Sequence, residues 1–262
     1  MDVRYHGHMI MTLLALAAAA QQADPKDTEQ WTPVPPVVRP GPVTSPAPPS
    51  DAIVLLGPGT ALREWASMGG KGAGWTFNKD GSMTVKKGAG NIQTRRSFDN
   101  YQLHLEWRVP AGISGNDQGR GNSGLFLVST GSGDAGYELQ ILDSYNNKTY
   151  VNGQAGSIYK QSPPLVNAMR PPGQWQTYDI VWNAPRFNPD GSIKSPARVT
   201  AFHNGLLIQD NFVLTGETAW QGLPKYKAHG PSPIKLQDHG DPSQPISFRN
   251  IWIREPKAPS SD

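Results

Sequence analysis

The sequence predicts an all-β fold of two antiparallel sheets packed as a sandwich, and three observations carry that prediction. Gly and Pro are abundant, at 28 and 25 of 262 residues, which favours many short strands joined by turns over helices. Apolar and polar residues alternate through YQLHLEWRV, residues 101–109, the period-two pattern of a half-buried strand. Asn204-Gly205 separates two β-rich runs in ARVTAFHNGLLIQDNFVL, residues 197–214. A two-residue type I′ hairpin turn needs the positive φ that such a pair tolerates. A β-barrel fits the same observations, so sandwich and barrel both stand at this level.

The elements follow in chain order. MIMTLLALAAAA, residues 9–20, is a short apolar run behind Arg4, His6 and His8, and the chain turns polar at Gln21. The run ends in alanines that suit a small-residue cleavage site, so residues 1–20 read as an export signal and the mature chain is expected to begin between Ala20 and Asp24. About a dozen residues are too few to cross a bilayer, which takes ~20. The absence of cysteine after the run excludes a lipoprotein anchor. Residues 21–51, with PVPPVVRPGPVTSPAPPS at their end, are too rich in Pro to pair in a sheet or continue a helix. They are expected to be a disordered, extended linker with few contacts. The folded domain is expected over 52–256, with a tail over 257–262.

Within the domain, only TALREWAS (60–67) has any helical pattern. In YQLHLEWRV, Leu103, Leu105, Trp107 and Val109 form one face, and Gln102, His104, Glu106 and Arg108 form a solvated one. SGLFLVS (123–129) is apolar on both faces, as in a central strand. In YELQILD (137–143), Glu138, Gln140 and Leu142 share one face while Tyr137, Leu139, Ile141 and Asp143 share the other. A bulge near Leu142 would bring Asp143 round to Glu138. PISFRNIWIRE (245–255) closes the domain with another alternating strand.

Composition excludes several functions. The formal charge is +3, and Lys and Arg are scattered rather than gathered in the basic stripe that nucleic-acid binding requires. Zero cysteines excludes disulfides, thiol catalysis and Cys-based zinc sites. GRGNSG (119–124) lacks the Gly-Lys-Ser/Thr ending of a phosphate loop, which excludes nucleotide binding there. No His-x-x-x-His or Glu-x-x-His spacing occurs, so a divalent metal ion would have to be held by distant segments.

Glu-Leu-Gln-Ile-Leu-Asp over 138–143 resembles the Glu-x-Asp-x-x-Glu strand of sandwich-fold glucanases, with Gln140 and the shorter Asp143 replacing two of its carboxylates. That exchange argues against simple retaining hydrolysis, which places two carboxyl groups ~5 Å apart. A closer resemblance lies in GRGNSGLFL, YELQILDSY, GQAGSIYKQSPPLVNAMRPPGQWQTYDI, PARVTAFHNGLLIQDN and IKLQDHGDPSQPISFRNIWIR. In this order, over about residues 53–255, they resemble the 3-keto-disaccharide hydrolase domain family. The resemblance implies a concanavalin A-like jelly-roll sandwich, bacterial export to the periplasm or beyond, and glycoside substrates whose C3 hydroxyl has been oxidised to a ketone.

Such a substrate dictates its chemistry. The C3 ketone acidifies the C2 proton, and the C1 aglycone is β to the resulting enolate. Cleavage then needs a base at C2, an electrophile for the C3 oxygen, which a metal could supply, and an acid for the leaving group. Glu138 is the candidate base or metal ligand. His239, in LQDHGDP, suits proton transfer from a loop position. Asp143 is either a second acid/base or the cap of an Asx turn in DSYNN. Gln140, Arg120 and Asn122 are candidate sugar contacts. Tyr159 and Lys160 follow the Gly156 turn toward the same cleft, and Gln237 and Asp238 flank His239 on opposite faces, so one of them shares its pocket. Arg170 could hold the C3 oxygen or serve structure. His203 reads as a surface turn residue, His229 as a loop contact, and Trp107 and Trp182 as core. No Trp is singled out for stacking. The same sandwich serves a non-catalytic carbohydrate-binding or wall-associated module equally well. Convergence of Glu138, Gln140, His239 and Arg170 in one pocket would favour the enzyme; a shallow groove lined by exposed Trp would favour the module.

Overall fold

A computed structural model describes residues 23–256, and the export signal expected over 1–20 and the tail expected over 257–262 lie outside the described residues. The strands in chain order are β1 (Ile53–Leu56), β2 (Trp65–Ser67), β3 (Thr76–Phe77), β4 (Met83–Thr84), β5 (Ile92–Thr94), β6 (Tyr101–Arg108), β7 (Ser123–Ser129) and β8 (Gly136–Ile141). They continue as β9 (Gln176–Asn183), β10 (Arg186–Phe187), β11 (Ile193–Ser195), β12 (Arg198–His203), β13 (Leu206–Val213), β14 (Lys235–Leu236) and β15 (Ser247–Arg254). Eight form one antiparallel sheet in the order β13-β12-β9-β6-β15-β4-β3, with β1 also on β15. Five form a second in the order β2-β5-β14-β7-β8, and β10 and β11 make a separate ribbon. Several neighbours are far apart in sequence, such as β6 with β15 and β7 with β14, as in a jelly roll, and the fold is the expected all-β sandwich.

The alternation along the strands decides what lies between the sheets. Leu103, Leu105 and Trp107 of β6 and Tyr178, Ile180 and Trp182 of β9 meet Leu125, Leu139 and Ile141 from the smaller sheet, all fully or almost fully buried. Each such side chain contributes about 1.5–3 kcal/mol by leaving water. The phenols of Tyr101 and Tyr178 cross the core and donate to the carbonyls of Leu127 (2.6 Å) and Gln140 (2.8 Å), tying one sheet to the other. Asn204 and Gly205 take φ of 53° and 81° in the tight turn between β12 and β13.

Four sequence expectations need correction. TALREWAS is a turn that runs into β2, so no helix forms there. His203 is buried, stacked on Trp107 with ring centroids 5.8 Å apart, and neither ring nitrogen has a partner. Burial pushes its pKa down to about 3, which keeps it neutral. His104 and Glu106, expected on a solvated face, are also buried.

The fourth correction explains the third. Residues 23–51 are largely extended, but they lie against the domain through a series of hydrogen bonds instead of forming a loose linker. Asn152 receives the N–H of Gln30 and donates to the carbonyl of Thr28, at 2.9 Å each. Val38 donates to the carbonyl of Asn167 at 3.0 Å, and Arg170 donates to the carbonyls of Gly41 (2.7 Å) and Pro42 (3.2 Å). Ser45 bonds Glu106, and Asn250 donates to the carbonyl of Pro46 at 2.9 Å, so this stretch covers the outer face of β6. Beneath it His104 Nδ1 lies 2.7 Å from Asp179 Oδ1. Burial opposes its charge, but Asp179 and Glu106 prevail and raise its pKa to about 8.

Candidate active site

The site is built from two cross-strand rows on the outer face of the smaller sheet. Register pairs Phe126 of β7 with both Lys235 of β14 and Glu138 of β8, and Gly124 of β7 with Gln140 of β8. Gln237 follows β14 on the same face and donates its N–H to the Gly124 carbonyl at 3.0 Å. One row therefore reads Lys235, Phe126, Glu138 and the next reads Gln237, Gly124, Gln140. Between them Gly124 leaves space: a Cβ there would stand 2.4 Å from Glu138 Oε1.

Above these rows opens a cavity of about 220 Å³ lined by Asn122, Asp134, Glu138, Gln140, Tyr159, Thr218, Trp220, Gln237 and His239. Six of the ten sequence candidates thus converge: Glu138, Gln140, Asn122, Tyr159, Gln237 and His239. Glu138 is 6% exposed, and its carboxyl makes no hydrogen bond among the described residues. Burial, with Asp134 adding repulsion and Lys235 partly opposing, raises its pKa to about 8. The buried Lys235 stacks its ammonium 4.1 Å over Phe126 and donates to the carbonyls of Gly133 and Ala135 at 2.8 Å each. Its own pKa falls to about 8, chiefly through burial.

The amides have acceptors to spare. Gln140 donates to Gln118 Oε1 at 3.1 Å, yet its own Oε1 is buried without a partner, as is Oε1 of Gln237. A buried carbonyl oxygen without a donor is costly unless a ligand or water supplies one. His239 stands on the loop after β14, its Nδ1 4.0 Å from Asp241 Oδ2. Asp241 fixes that loop by accepting the N–H of Asn122 at 3.0 Å and the hydroxyl of Ser243 at 2.7 Å. Asp238 turns away and accepts the N–H of Gly90 at 3.0 Å, so Gln237 is the flanking residue that shares the cavity.

Four candidates do not reach the cavity. The strand ends at Ile141, and the β7–β8 register shift falls between Phe126 and Val128 rather than near Leu142. No bulge redirects Asp143. It is fully buried, accepts the N–H of Tyr145 at 3.1 Å in an Asx turn, and pairs with Arg120 Nε at 2.8 Å. Burial raises its pKa against the opposing pull of Arg120. Arg120 is thereby also structural, with Nη2 donating to the carbonyl of Tyr145 at 2.5 Å. Arg170 is taken up by the Pro-rich segment, and Lys160 lies behind the cavity wall, with Nζ on the carbonyls of Pro25 and Trp220. His229 is a loop contact as expected, 3.1 Å from the Tyr137 hydroxyl and away from this cavity.

Sequence reading missed Asp134, Thr218, Trp220 and Lys235. Lys235 alternates with Leu236 in IKLQDHGDP and was legible as the same-face neighbour of Gln237 along the strand. The other three sit on loops with no periodicity to mark them. Among the described residues no three of His, Asp and Glu come together in a group that could hold a metal ion. Asp134, Glu138 and His239 share the cavity without forming such a set.

Comparison with known proteins identifies the family of the chain. No curated protein matches the chain. A solved structure from Parabacteroides distasonis ATCC 8503, described as a candidate glycosyl hydrolase, is 49% identical, with 94% of this chain and all of that one covered at a TM-score of 0.76. Two further structures so described from the same organism, at 24% identity (TM-score 0.54) and 20% identity (TM-score 0.56), share the fold. They cover 78% and 79% of this chain and 99% and 94% of their own. Residues 51–254 match the 3-keto-alpha-glucoside-1,2-lyase-like domain, and the chain belongs to that family.

Proposed function

We propose that this protein cleaves glycosides that carry a ketone at C3, by elimination across C1 and C2 followed by hydration, and that Glu138 is the base. One observation carries the reading: a buried carboxyl without a protein partner faces a polar cavity beside two unpaired amide oxygens. A base is most effective when its pKa lies near the working pH, and a pKa of about 8 meets that condition. Glu138 takes the proton from C2, and the electron pair passes through the enolate to form C1=C2 as the C1–O bond breaks. His239, on the rim, gives the aglycone oxygen its proton. Water then adds to C1, giving its proton to His239, while C2 regains a proton from Glu138, so both groups are restored and the net reaction is hydrolysis. Gln140 and Gln237 accept from sugar hydroxyls, and the side-chain N–H group of Gln237 is a donor toward the C3 oxygen.

Convergence of Glu138, Gln140 and His239 in one cavity favours an enzyme over a binding module, although Arg170 takes no part and the exposed Trp220 lines the same cavity. The protein acts after export, on the reading of residues 1–20 as a signal. Amino-terminal sequencing of the exported chain tests that reading, and a start between Ala20 and Asp24 is expected. The activity is tested by incubating purified protein with p-nitrophenyl 3-keto-α-glucoside and with the unoxidised glucoside. Release of nitrophenol from the ketone alone is expected; release from neither substrate would overturn the proposal.

A further inference from the structure

Trp220 is 64% exposed, the most exposed of the eight tryptophans, yet it lines the same cavity as the buried Glu138. It sits in the loop between β13 and β14, closed at its base by the N–H of Glu217 on the carbonyl of Lys225 at 3.0 Å. Thr218 fastens that base to β8: its N–H and hydroxyl both reach the carbonyl of Gly136, and its hydroxyl accepts the N–H of Glu138 at 3.1 Å. These contacts fix the root of the loop relative to the base. They do not fix its tip.

The tip is held from the other side. Lys160 is 7% exposed, and its ammonium donates to two carbonyls from distant segments, Trp220 at 2.8 Å and Pro25 at 2.5 Å. Gln221 donates to the carbonyl of Ala23, alongside. Lys160 itself is positioned with φ of 56° and with its N–H on the carbonyl of Asn152 at 2.8 Å, and Asn152 binds the backbone of Thr28 and Gln30. Its ammonium also lies 5.8 Å from the ring of Tyr159, the other aromatic wall of the cavity. Tyr159 is hydrogen-bonded to Tyr150, which Trp31 meets edge-on. A lysine whose buried ammonium forms no ion pair among the described residues, and which spends two of its three N–H donors on carbonyls from distant segments, is a cross-brace between them.

We propose that Trp220 is the platform on which the sugar ring stacks at the cavity mouth. Lys160 is its positioning residue, and the segment 23–30 is the far anchor of the brace. An indole face offers apolar surface to the C–H face of a pyranose, while the amides beneath bind its hydroxyls. The proposal rests on the reading of the cavity as a 3-keto-glycoside site and names how that site holds its substrate.

The test uses the mature full-length chain and its W220A, W220F, K160M and K160R variants. W220A is expected to raise KM for p-nitrophenyl 3-keto-α-glucoside about ten-fold, the equivalent of one aromatic contact, with kcat within a few-fold. W220F should recover most of that loss. K160M should accelerate amide hydrogen exchange in 217–225 without unfolding the domain, and should raise KM in the same direction, with K160R restoring both. An unchanged KM in W220A overturns the platform, and unchanged exchange in K160M overturns the brace. If wild-type protein turns over no 3-keto-glycoside, the function proposed above fails by itself. Titration with 3-keto-glucose then decides the platform: a fluorescence change lost in W220F supports it, and no change overturns it.

Discussion

A Cβ on Gly124 would stand 2.4 Å from Oε1 of Glu138, so a missing side chain on β7 is what lets the carboxyl lie across the neighbouring strand. Gly124 does not have positive φ, and its freedom is one of space alone. Gly124→Ala should therefore fold, because the atoms that must yield are the end of a flexible side chain and the Phe126 ring edge at 3.0 Å. Moving the carboxyl should lower kcat/KM at least ten-fold, since about 1 Å of displacement at a reacting group can cost on the order of a hundred-fold. Circular dichroism and steady-state kinetics on the same preparation check this.

The pH dependence of the reaction follows from the raised pKa of Glu138. The base must be ionised, and burial keeps it protonated below about 8. From acid pH, kcat/KM should rise as Glu138 ionises, and it should fall again on the alkaline side because the leaving-group acid must keep its proton. A profile already flat between pH 5 and 8 would show that the ionisation of Glu138 does not control the rate.

Stability should carry the opposite trend. The unfolded value for this carboxyl is 4.5 and the folded value about 8, so between the two the folded state holds a proton that the unfolded state has lost. Unfolding then releases a proton, and stability falls as pH rises through that window. Glu138→Gln cannot titrate. The Tm of the variant should gain on wild type from about pH 5 to pH 8, then hold a constant difference. Parallel melting curves over that range would contradict the raised pKa.

Arg120 and Asp143 should affect folding rather than catalysis. Asp143 is fully buried and its oxygen lies 2.8 Å from Arg120 Nε, although the pair is not aligned as a hydrogen bond. Asp143→Asn should destabilise the domain by roughly 3 kcal/mol, because it leaves a guanidinium largely buried without its counter-charge. The kcat of the protein that remains folded should stay within about two-fold of wild type, the margin expected of a residue outside the reacting set. Urea unfolding and active-site-normalised kinetics separate these effects.

The strands were legible because alternation reports directly which side chains face the core. Glu138 and Gln140 share a face with Leu139 and Ile141 buried behind them, as the period of two requires. Asp143 was misplaced because spacing does not reveal where a strand stops or which arginine folds back on it. His104 and His203 read as polar surface positions, and both are covered: one is stacked on Trp252, beside the Glu106 that Ser45 bonds from more than fifty residues earlier, and the other is packed against Trp107 and Tyr178. The Pro-rich segment was read from composition, which excludes helix and sheet but not docking through its free carbonyls. Trp220 lay in a loop, where no periodicity separates a cavity wall from a solvent contact.

The role of Glu138 is tested most directly by the turnover of p-nitrophenyl 3-keto-α-glucoside by wild type and Glu138→Gln at pH 8. Glutamine keeps the shape and the hydrogen-bonding surface while removing the proton acceptor. The variant should melt no lower than wild type and bind substrate with similar affinity, while kcat falls by roughly 10²–10⁴, the range expected for loss of a general base. Turnover within a few-fold of wild type, in a folded variant, would contradict the assignment of Glu138 as the base.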